Sequence, residues 1–184
     1  MSAATVLIVP GLRDHVADHW QTHLAARLPR VLTVPPLMRD KLDLAARTRA
    51  ISDTADSITG PILICAHSAG VLMVAHWASQ APKRVVGALL ACPPDLETPM
   101  PAGYPTPEQL VQGGWTPVPR QVLPFPALVL GSETDALASL DRTQALARDW
   151  GVRFVNLGAV GHLNPASGHG DWPDAEGWLA KACC

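Results

Sequence analysis

Short apolar runs alternate with helix-like segments along this 184-residue chain, and this alternation constrains the fold more than any other feature. The runs are almost free of polar residues, as strands covered on both faces of a sheet require. Strands separated by helices predict βαβ units. We therefore expect a mostly parallel, doubly wound α/β sheet flanked by helices, with strands at Thr5–Gly11, Val31–Val34, Pro61–Ser68, Val85–Pro94, Ala127–Asp135 and Arg153–Gly158.

Apolar residues at helical spacing lie between the predicted strands. Asp18 to Leu28 places Trp20 and Leu24 on one face, with Asp18 as the expected N-cap. The length suits one domain, so residues 1–184 are expected to form a single α/β domain. The other predicted helices are Asp43–Ser57, Ala69–Gln80, Ser139–Trp150 and Ala175–Lys181.

Residues 93–126 interrupt this rhythm and hold 10 of the 18 prolines. Such a proline content disfavours a regular helix, because proline lacks the backbone N–H that a helix interior needs. We expect a surface excursion after a strand. One interpretation is a short lid, and the other is a connection without a role of its own.

The composition excludes several classes of protein. The net charge is −2, charged residues make up 16% of the chain, and Lys and Arg are scattered, so a nucleic-acid partner is not expected. Apolar residues make up 48%, which disfavours a disordered chain. The apolar runs are far shorter than a membrane span, and the N-terminus lacks the basic region of a signal peptide. No membrane association is expected.

The four cysteines do not form a Cys-x-x-Cys pair, which disfavours a disulfide scaffold and a zinc ribbon. A reducing cytoplasm is therefore the expected location. Cys65 and Cys92 lie in apolar strands and are interpreted as inert core residues. Cys183 and Cys184 are interpreted as a mobile tail that could oxidise.

One pentapeptide has the pattern of a nucleophile elbow. Ala66-His67-Ser68-Ala69-Gly70 follows a predicted buried strand and opens a predicted apolar helix, the context in which small-x-Ser-x-small positions a nucleophile. The strand and the helix pass close together there, so Ala66 and Gly70 must be small. Ala66 stands where glycine is usual. We predict that Ser68 is a nucleophile rather than an ordinary helix N-cap serine.

Two residues farther along the chain can supply the base and the acid that a serine nucleophile needs. In folds with this elbow the chain order is Ser, then Asp or Glu, then His. Asp135 follows one predicted strand, and His162 follows the last predicted strand in a Gly-rich turn. Open α/β sheets collect their sites at the carboxyl ends of strands. We therefore predict that Ser68, Asp135 and His162 act together.

Other residues compete for these roles. His169, in the loop Ser167–Gly170, is the rival of His162 but lies farther from the strand end. The rivals of Asp135 are Glu133, two residues earlier, and Asp95, which follows an earlier predicted strand. Without a catalytic role, His162 would be a capping or surface histidine and Asp135 an acid at a helix N-terminus.

An oxyanion hole requires two backbone N–H groups directed at the developing negative charge. The first is expected at Ala69, which follows the nucleophile and begins a helix. The second is expected from the loop after the first strand. Leu12 is the preferred donor there, and Arg13 is the alternative.

Three histidines, His15, His19 and His23, recur at a spacing of four residues. On one helix they would share a face, and such spacing can bind a metal ion. His15 is expected to precede the helix, however, and no nearby cysteine completes a site. We prefer a polar helix face, with His19 and Trp20 packed near the mouth of the active site, and expect neither a metal nor an organic cofactor.

Several motifs together carry a family resemblance over nearly the whole chain. They are Val9-Pro10-Gly11-Leu12, Asp18-His19-Trp20-Gln21, the elbow at 66–70, Ala91-Cys92-Pro93-Pro94-Asp95, Leu123-Pro124-Phe125-Pro126, Gly161-His162-Leu163-Asn164 and Gly170-Asp171-Trp172-Pro173. With these motifs the chain resembles the small serine hydrolases related to retinoblastoma-binding protein 9, in the α/β-hydrolase superfamily. The resemblance implies an α/β-hydrolase fold without a large cap domain, and a catalytic triad of Ser68, Asp135 and His162.

The resemblance favours His162 over His169, and the chain departs from the family pattern in two places. Residues 132–138 keep the acid but lack the Asp-Pro pair commonly found there. Leu63-Ile64-Cys65-Ala66-His67 ends in His, so the chain has no Leu-x-Cys-x-Glu motif. An interaction with the retinoblastoma protein is therefore not expected.

The residues and the resemblance predict a carboxylesterase-like serine hydrolase. It would cleave small esters, thioesters or amides through an acyl-enzyme on Ser68, and peptidase or thioesterase activity fits the same chemistry. An alternative is a protein-interaction module with a vestigial site, suggested by the Pro-rich segment 93–126. A third interpretation is a lyase, in which the same residues act as acid and base without acylation.

Overall fold

Six parallel strands form one sheet in the order β2-β1-β3-β4-β5-β6. The computed structural model describes residues 4–37, 41–82 and 84–183. The predicted doubly wound sheet is confirmed, and no large cap domain interrupts it in the described part of the chain. The strands are β1 (Thr5–Val9), β2 (Val31–Thr33), β3 (Ile62–His67), β4 (Val85–Ala91), β5 (Ala127–Gly131) and β6 (Arg153–Asn156).

Helices connect the strands and cover the sheet. Two short 3₁₀ segments, Ala78–Gln80 and Pro165–Ser167, accompany them. Within the described ranges, none of the helices is long and apolar enough to cross a membrane. The α-helices are α1 (Trp20–Arg27), α2 (Leu44–Asp56), α3 (Ala69–Trp77), α4 (Pro107–Gln112), α5 (Leu140–Asp149) and α6 (Ala175–Lys181).

Each face of the sheet has its own apolar core, because successive side chains of a strand point to opposite faces. Leu7 and Ile64 pack with α2, α3 and α5 on one face. Ile8 and Cys65 pack with α1 and α6 on the other. The inner strands must therefore be apolar at every position, which explains their uninterrupted hydrophobic runs.

The N-cap of helix α1 lies one residue later than predicted. His19, not Asp18, is the N-cap: its backbone is extended (φ −96°, ψ 143°), and its Nδ1 accepts a hydrogen bond from the Gln21 N–H at 3.2 Å. The Asp18 side chain is exposed and contacts His23 Nε2 at 3.3 Å. The prediction of Asp18 as the cap is wrong because an imidazole nitrogen fills that role.

The segment 93–126 contains a short helix that its proline content did not predict. Helix α4 lies within it, and Thr106 is its N-cap. The Thr106 side chain accepts a hydrogen bond from the Gln109 N–H in a capping box. Trp115 is fully buried, and its Nε1 donates to the Leu42 carbonyl at 2.7 Å. The expectation that the segment contains no regular helix is therefore wrong. Most of residues 97–109 are exposed, and buried apolar side chains anchor the segment in the core: Leu96, Leu110, Val118, Leu123 and Phe125.

Candidate active site

Ser68 occupies a sharp turn between β3 and α3. Its backbone has φ 56° and ψ −132°, a conformation that non-glycine residues rarely adopt. The Ser68 N–H donates to the Ala91 carbonyl at the end of β4, and its C=O accepts from Val71 in the first turn of α3, both at 2.9 Å. These bonds hold the strained residue, and strained backbone of this kind is concentrated at functional sites.

Two glycines allow the chain to pass close to Ser68. A Cβ on Gly70 would lie 2.7 Å from the Pro10 carbonyl oxygen, so only glycine lets α3 approach the end of β1 this closely. A Cβ on Gly11 would lie 3.2 Å from the Ser68 Cβ. The loop after β1 therefore rests directly on the serine.

A continuous hydrogen-bond chain joins Ser68, His162 and Asp135. The Ser68 Oγ lies 2.9 Å from His162 Nε2, and His162 Nδ1 lies 2.8 Å from Asp135 Oδ2. The side chains of His162 and Asp135 are only 9% and 3% exposed. The Leu137 N–H donates to Asp135 Oδ1 at 2.9 Å and holds the carboxylate in place. This arrangement can remove a proton from the serine hydroxyl and stabilise the resulting imidazolium.

The rival residues have other partners. His169 Nδ1 donates to the Ser167 carbonyl at 3.1 Å, within its own loop. Glu133 accepts from Asn156 Nδ2 at 2.8 Å. Asp95 forms a bidentate ion pair with Arg142, at 2.9 and 3.0 Å.

His67 supports the loop that carries His162. Its Nε2 donates to the His162 carbonyl at 2.8 Å, and its ring lies between those of His19 (4.7 Å) and His162 (5.0 Å). Burial lowers the pKa of His67 well below its usual range. Burial, and then the nearby His162 and His23, lower the pKa of His19 to about 4. His67 and His19 are therefore neutral at pH 7.

Two residues at the start of α1 also brace the site. Trp20 Nε1 donates to the Leu163 carbonyl at 2.9 Å, next to His162. Gln21 Nε2 donates to the Cys65 carbonyl at 3.0 Å and approaches the Val9 carbonyl at 3.4 Å, so it ties α1 to β3 and β1. These roles were not predicted from the sequence. Gln21 is followed by Thr22 and His23, so nothing in the local sequence marks it as buried.

The loop after β1 forms a tight turn beside the serine. The Asp14 N–H donates to the Gly11 carbonyl at 3.0 Å, which makes Leu12 and Arg13 the central residues of the turn. Leu12, Arg13 and Ala69 all line the cavity that contains Ser68. The predicted second donors therefore lie in one turn at the site.

A cavity of about 610 Å³ opens over Ser68. Its volume is in the range of small-molecule sites. Segment 93–126 contributes Leu96, Met100, Tyr104 and Gln109 to the wall. The Pro-rich segment therefore borders the cavity.

Cys92 lies close to the side chains of Asp135 and His162. Its Sγ and the ligand atoms of Asp135 and His162 are within 4.8 Å of one another, a grouping that could in principle hold a metal ion. Burial and the Asp135 carboxylate raise the pKa of the Cys92 thiol well above its usual range. Asp135 Oδ2 and His162 Nδ1 already bind each other at 2.8 Å. His15, His19 and His23 do not form a ligand group within the described ranges.

Comparisons with solved structures agree with this fold. A YdeN-like hydrolase from Pectobacterium atrosepticum is 27% identical, with a TM-score of 0.81, and the match covers 98% of this chain and 90% of that one. The YdeN product from B. subtilis is 16% identical, with a TM-score of 0.70 and coverage of 97% and 98%. Est1E from Butyrivibrio proteoclasticus, solved with ferulic acid, is 13% identical, with a TM-score of 0.70 and coverage of 99% and 87%.

Sequence comparison identifies the family. No sequence among the curated proteins matches the chain. The serine hydrolase family model matches residues 6–181, which is nearly the whole chain. Similarity to hydrolases of α/β-hydrolase fold extends over the same length. The chain therefore belongs to the serine hydrolase family.

Proposed function

We propose that this protein is a carboxylesterase-like serine hydrolase that cleaves small esters, thioesters or amides through an acyl-enzyme on Ser68. The observation that carries the proposal is the hydrogen-bond chain from Ser68 Oγ through His162 to Asp135. We also propose kinship with the hydrolases related to retinoblastoma-binding protein 9, on the motifs that the chain shares with them.

In the first half-reaction the Ser68 Oγ attacks the substrate carbonyl carbon, and His162 Nε2 takes the hydroxyl proton. Asp135 keeps the other proton on Nδ1 and stabilises the charged imidazolium. The tetrahedral intermediate collapses when the bond to the leaving group breaks. His162 returns its proton to the leaving oxygen, sulfur or nitrogen, which leaves an ester on Ser68.

In the second half-reaction water attacks that ester. His162 removes a proton from the water and then gives it to the Ser68 oxygen as the acyl group departs as a carboxylic acid. The backbone N–H groups of Ala69 and Leu12 would bind the oxyanion in both half-reactions, with Arg13 as the alternative to Leu12. The position of Ala69 at a helix N-terminus and the turn that rests on Ser68 support this assignment.

The first test is labelling with a fluorophosphonate probe, followed by intact-protein mass measurement. We expect one adduct on the wild type and none on Ser68→Ala, because only an activated serine attacks the probe. Ser57→Ala, which removes an exposed hydroxyl at the end of α2, is the matched control and should label fully. An unlabelled wild type, or a fully labelled Ser68→Ala variant, would contradict the proposal.

Acyl-enzyme formation separates the proposal from the two alternatives. Rapid mixing with p-nitrophenyl acetate should give a burst of p-nitrophenol and an acetyl adduct on Ser68. A lyase would form no such adduct. A vestigial interaction module would give neither adduct nor turnover.

The domain organisation and the cellular compartment of the protein are further parts of the proposal. We propose that residues 1–184 act as one domain in a reducing cytoplasm, without nucleic-acid or membrane partners. The buried, unpaired Cys65 and Cys92 are compatible with that compartment. Fractionation of the source cells that found the protein only in an oxidising compartment would contradict this location.

A further inference from the structure

The cavity over Ser68 has an excess of positive charge. Among the described residues that line it, Arg13 and Lys41 are cationic and Asp14 is the one carboxylate. The chain as a whole has a net charge of −2, so this cavity differs in sign from the rest of the molecule. A concave site lined by one sign of charge concentrates ligands of the opposite sign.

Asp14 does not cancel this charge, because a third cation already pairs with it. Arg47, in α2, donates through Nη1 to Asp14 Oδ1, and the side chains of Arg47 and Asp14 are only 5% and 8% exposed. The Lys41 Nζ lies 3.7 Å from Asp14 Oδ2 and is 53% exposed. Arg47 and Lys41 therefore share one carboxylate, and Arg13 adds a third cation, so these four residues carry two positive charges in excess.

The cationic residues lie on one side of the nucleophile. Arg13 follows β1, and Lys41 lies between β2 and α2, whereas Ser68 follows β3. The side toward β4 and β5 is formed by apolar residues, among them Leu96 and Leu137. Arg13 is two residues from Gly11, where an added Cβ would lie 3.2 Å from the Ser68 Cβ, and two residues span at most about 7 Å. Its guanidinium is therefore within reach of a group attached a few bonds from the scissile carbonyl.

We propose that the preferred substrates carry a carboxylate, which Arg13 and Lys41 bind while the apolar side receives the rest of the molecule. A guanidinium and an ammonium both donate to carboxylate oxygens, and charge-assisted hydrogen bonds of this kind are stronger than neutral ones. This inference rests on the proposed esterase chemistry and adds its substrate class.

The test compares acidic esters with neutral esters of similar shape. One pair places the carboxylate on the acyl group: the p-nitrophenyl monoester of adipic acid against p-nitrophenyl hexanoate. The other places it on the leaving group: 4-acetoxybenzoate against its methyl ester. In at least one pair we expect kcat/KM for the acid to exceed that for the neutral ester by about tenfold at low ionic strength, with the preference shrinking as salt screens the charges.

Variants assign the preference to the two cations. Lys41→Gln and Arg13→Gln should each lower the acid-to-neutral ratio at least about threefold, and the double variant should bring it close to one. The ratio is insensitive to a general loss of active enzyme, since both esters are measured on the same preparation. Arg49→Gln, which removes an exposed cation of α2 that does not line the cavity, should keep the wild-type ratio.

The outcomes separate this inference from the proposed function. If neutral esters are hydrolysed through Ser68 but neither acid is preferred, the substrate class is wrong while the hydrolase chemistry stands. A preference that survives in the double variant would likewise overturn the roles of Arg13 and Lys41. If neither member of a pair is hydrolysed and Ser68 takes no probe, the proposed function itself fails.

Discussion

At the scale of single residues, Asp135 determines how His162 is oriented. Its carboxylate holds the proton on Nδ1, so that Nε2 is free to take the serine proton. Asp135→Asn keeps the shape but can hold the other tautomer, so we expect kcat for p-nitrophenyl acetate to fall by about 10⁴-fold. Steady-state kinetics on the folded variant checks this.

Two carboxylates serve as controls for that substitution. Glu133→Gln changes an exposed acid two residues away and should leave kcat within about twofold, as surface changes usually do. Asp95→Asn weakens the ion pair with Arg142 and should lower stability more than activity. Near-normal kcat in Asp135→Asn, or a large loss of kcat in Glu133→Gln, would mean that Asp135 is not the acid that orients His162.

The sequence indicated some of these residues better than others. Ser68 stood in a motif with a steric reason for each small neighbour, and Asp135 and His162 each followed an apolar strand. The support provided by His67 and Gln21 was not predictable in the same way. Both donate to carbonyl groups that are distant in sequence, at His162 and Cys65, and such contacts exist only once the sheet order is known.

At the scale of elements, a buried ion pair fastens the turn at the active site to α2. Asp14 closes the turn through its N–H and binds Arg47 through its carboxylate. Arg47→Met would leave that carboxylate buried without its nearest partner, so we expect a loss of about 3 kcal/mol in the free energy of unfolding. The loosened turn should also lower kcat. Urea denaturation and esterase kinetics measure the two effects.

A double-mutant cycle tests whether the two residues act as a pair. Asp14→Asn combined with Arg47→Met should cost less stability than the sum of the single substitutions. Each single substitution leaves one buried charge of the pair behind, whereas the double variant removes both charges. Arg49→Met, an exposed position on the same helix, should change stability little. Additive losses would mean that the ion pair does not hold the turn.

Elements were predictable where one physical signal dominated. Continuous apolar runs identified the four inner strands, and shorter apolar stretches identified β2 and β6. The predicted ends of all six strands extended too far into the following loops. Segment 93–126 was misjudged because its prolines outweighed a capping signal, Thr106 followed by Pro107 and Gln109, that is typical of a helix N-terminus. The anchoring of Trp115 on Leu42 is a long-range contact that local sequence does not encode.

At the scale of the whole molecule, the strand order explains where the site lies. The chain runs outward from β1 to β2 and then returns to place β3 on the other side of β1, so the crossover direction changes between β1 and β3. Loops diverge at such a point and leave a crevice at the carboxyl ends of the strands. The turn after β1 and the elbow after β3 border this crevice. Alternating strands and helices predict its existence, whereas the strand order had to come from the structure.

The buried histidines should make the stability of the whole molecule depend on pH. His19 and His67 have folded pKa values below the unfolded value of 6.5, with that of His19 at about 4, and burial is the main cause. The unfolded chain therefore binds more protons than the folded chain below pH 6.5. Their contribution is complete above that pH and declines as pH falls toward 4, by up to about 1.4 kcal/mol per pH unit for each group.

Urea unfolding between pH 7.5 and 4.5 measures this decline. His19→Gln should reduce the slope of the free energy of unfolding against pH by up to about 1.4 kcal/mol per pH unit, because glutamine does not titrate. This change in slope does not depend on how the substitution alters the absolute stability. Ala26→Gln, which adds the same amide at an exposed position of the same helix and removes no titratable group, is the matched control and should keep the wild-type slope. A slope that is the same in the wild type and His19→Gln would mean that His19 is protonated as readily in the folded protein as in the unfolded chain. His19 would then not be one of the neutral rings beside His162.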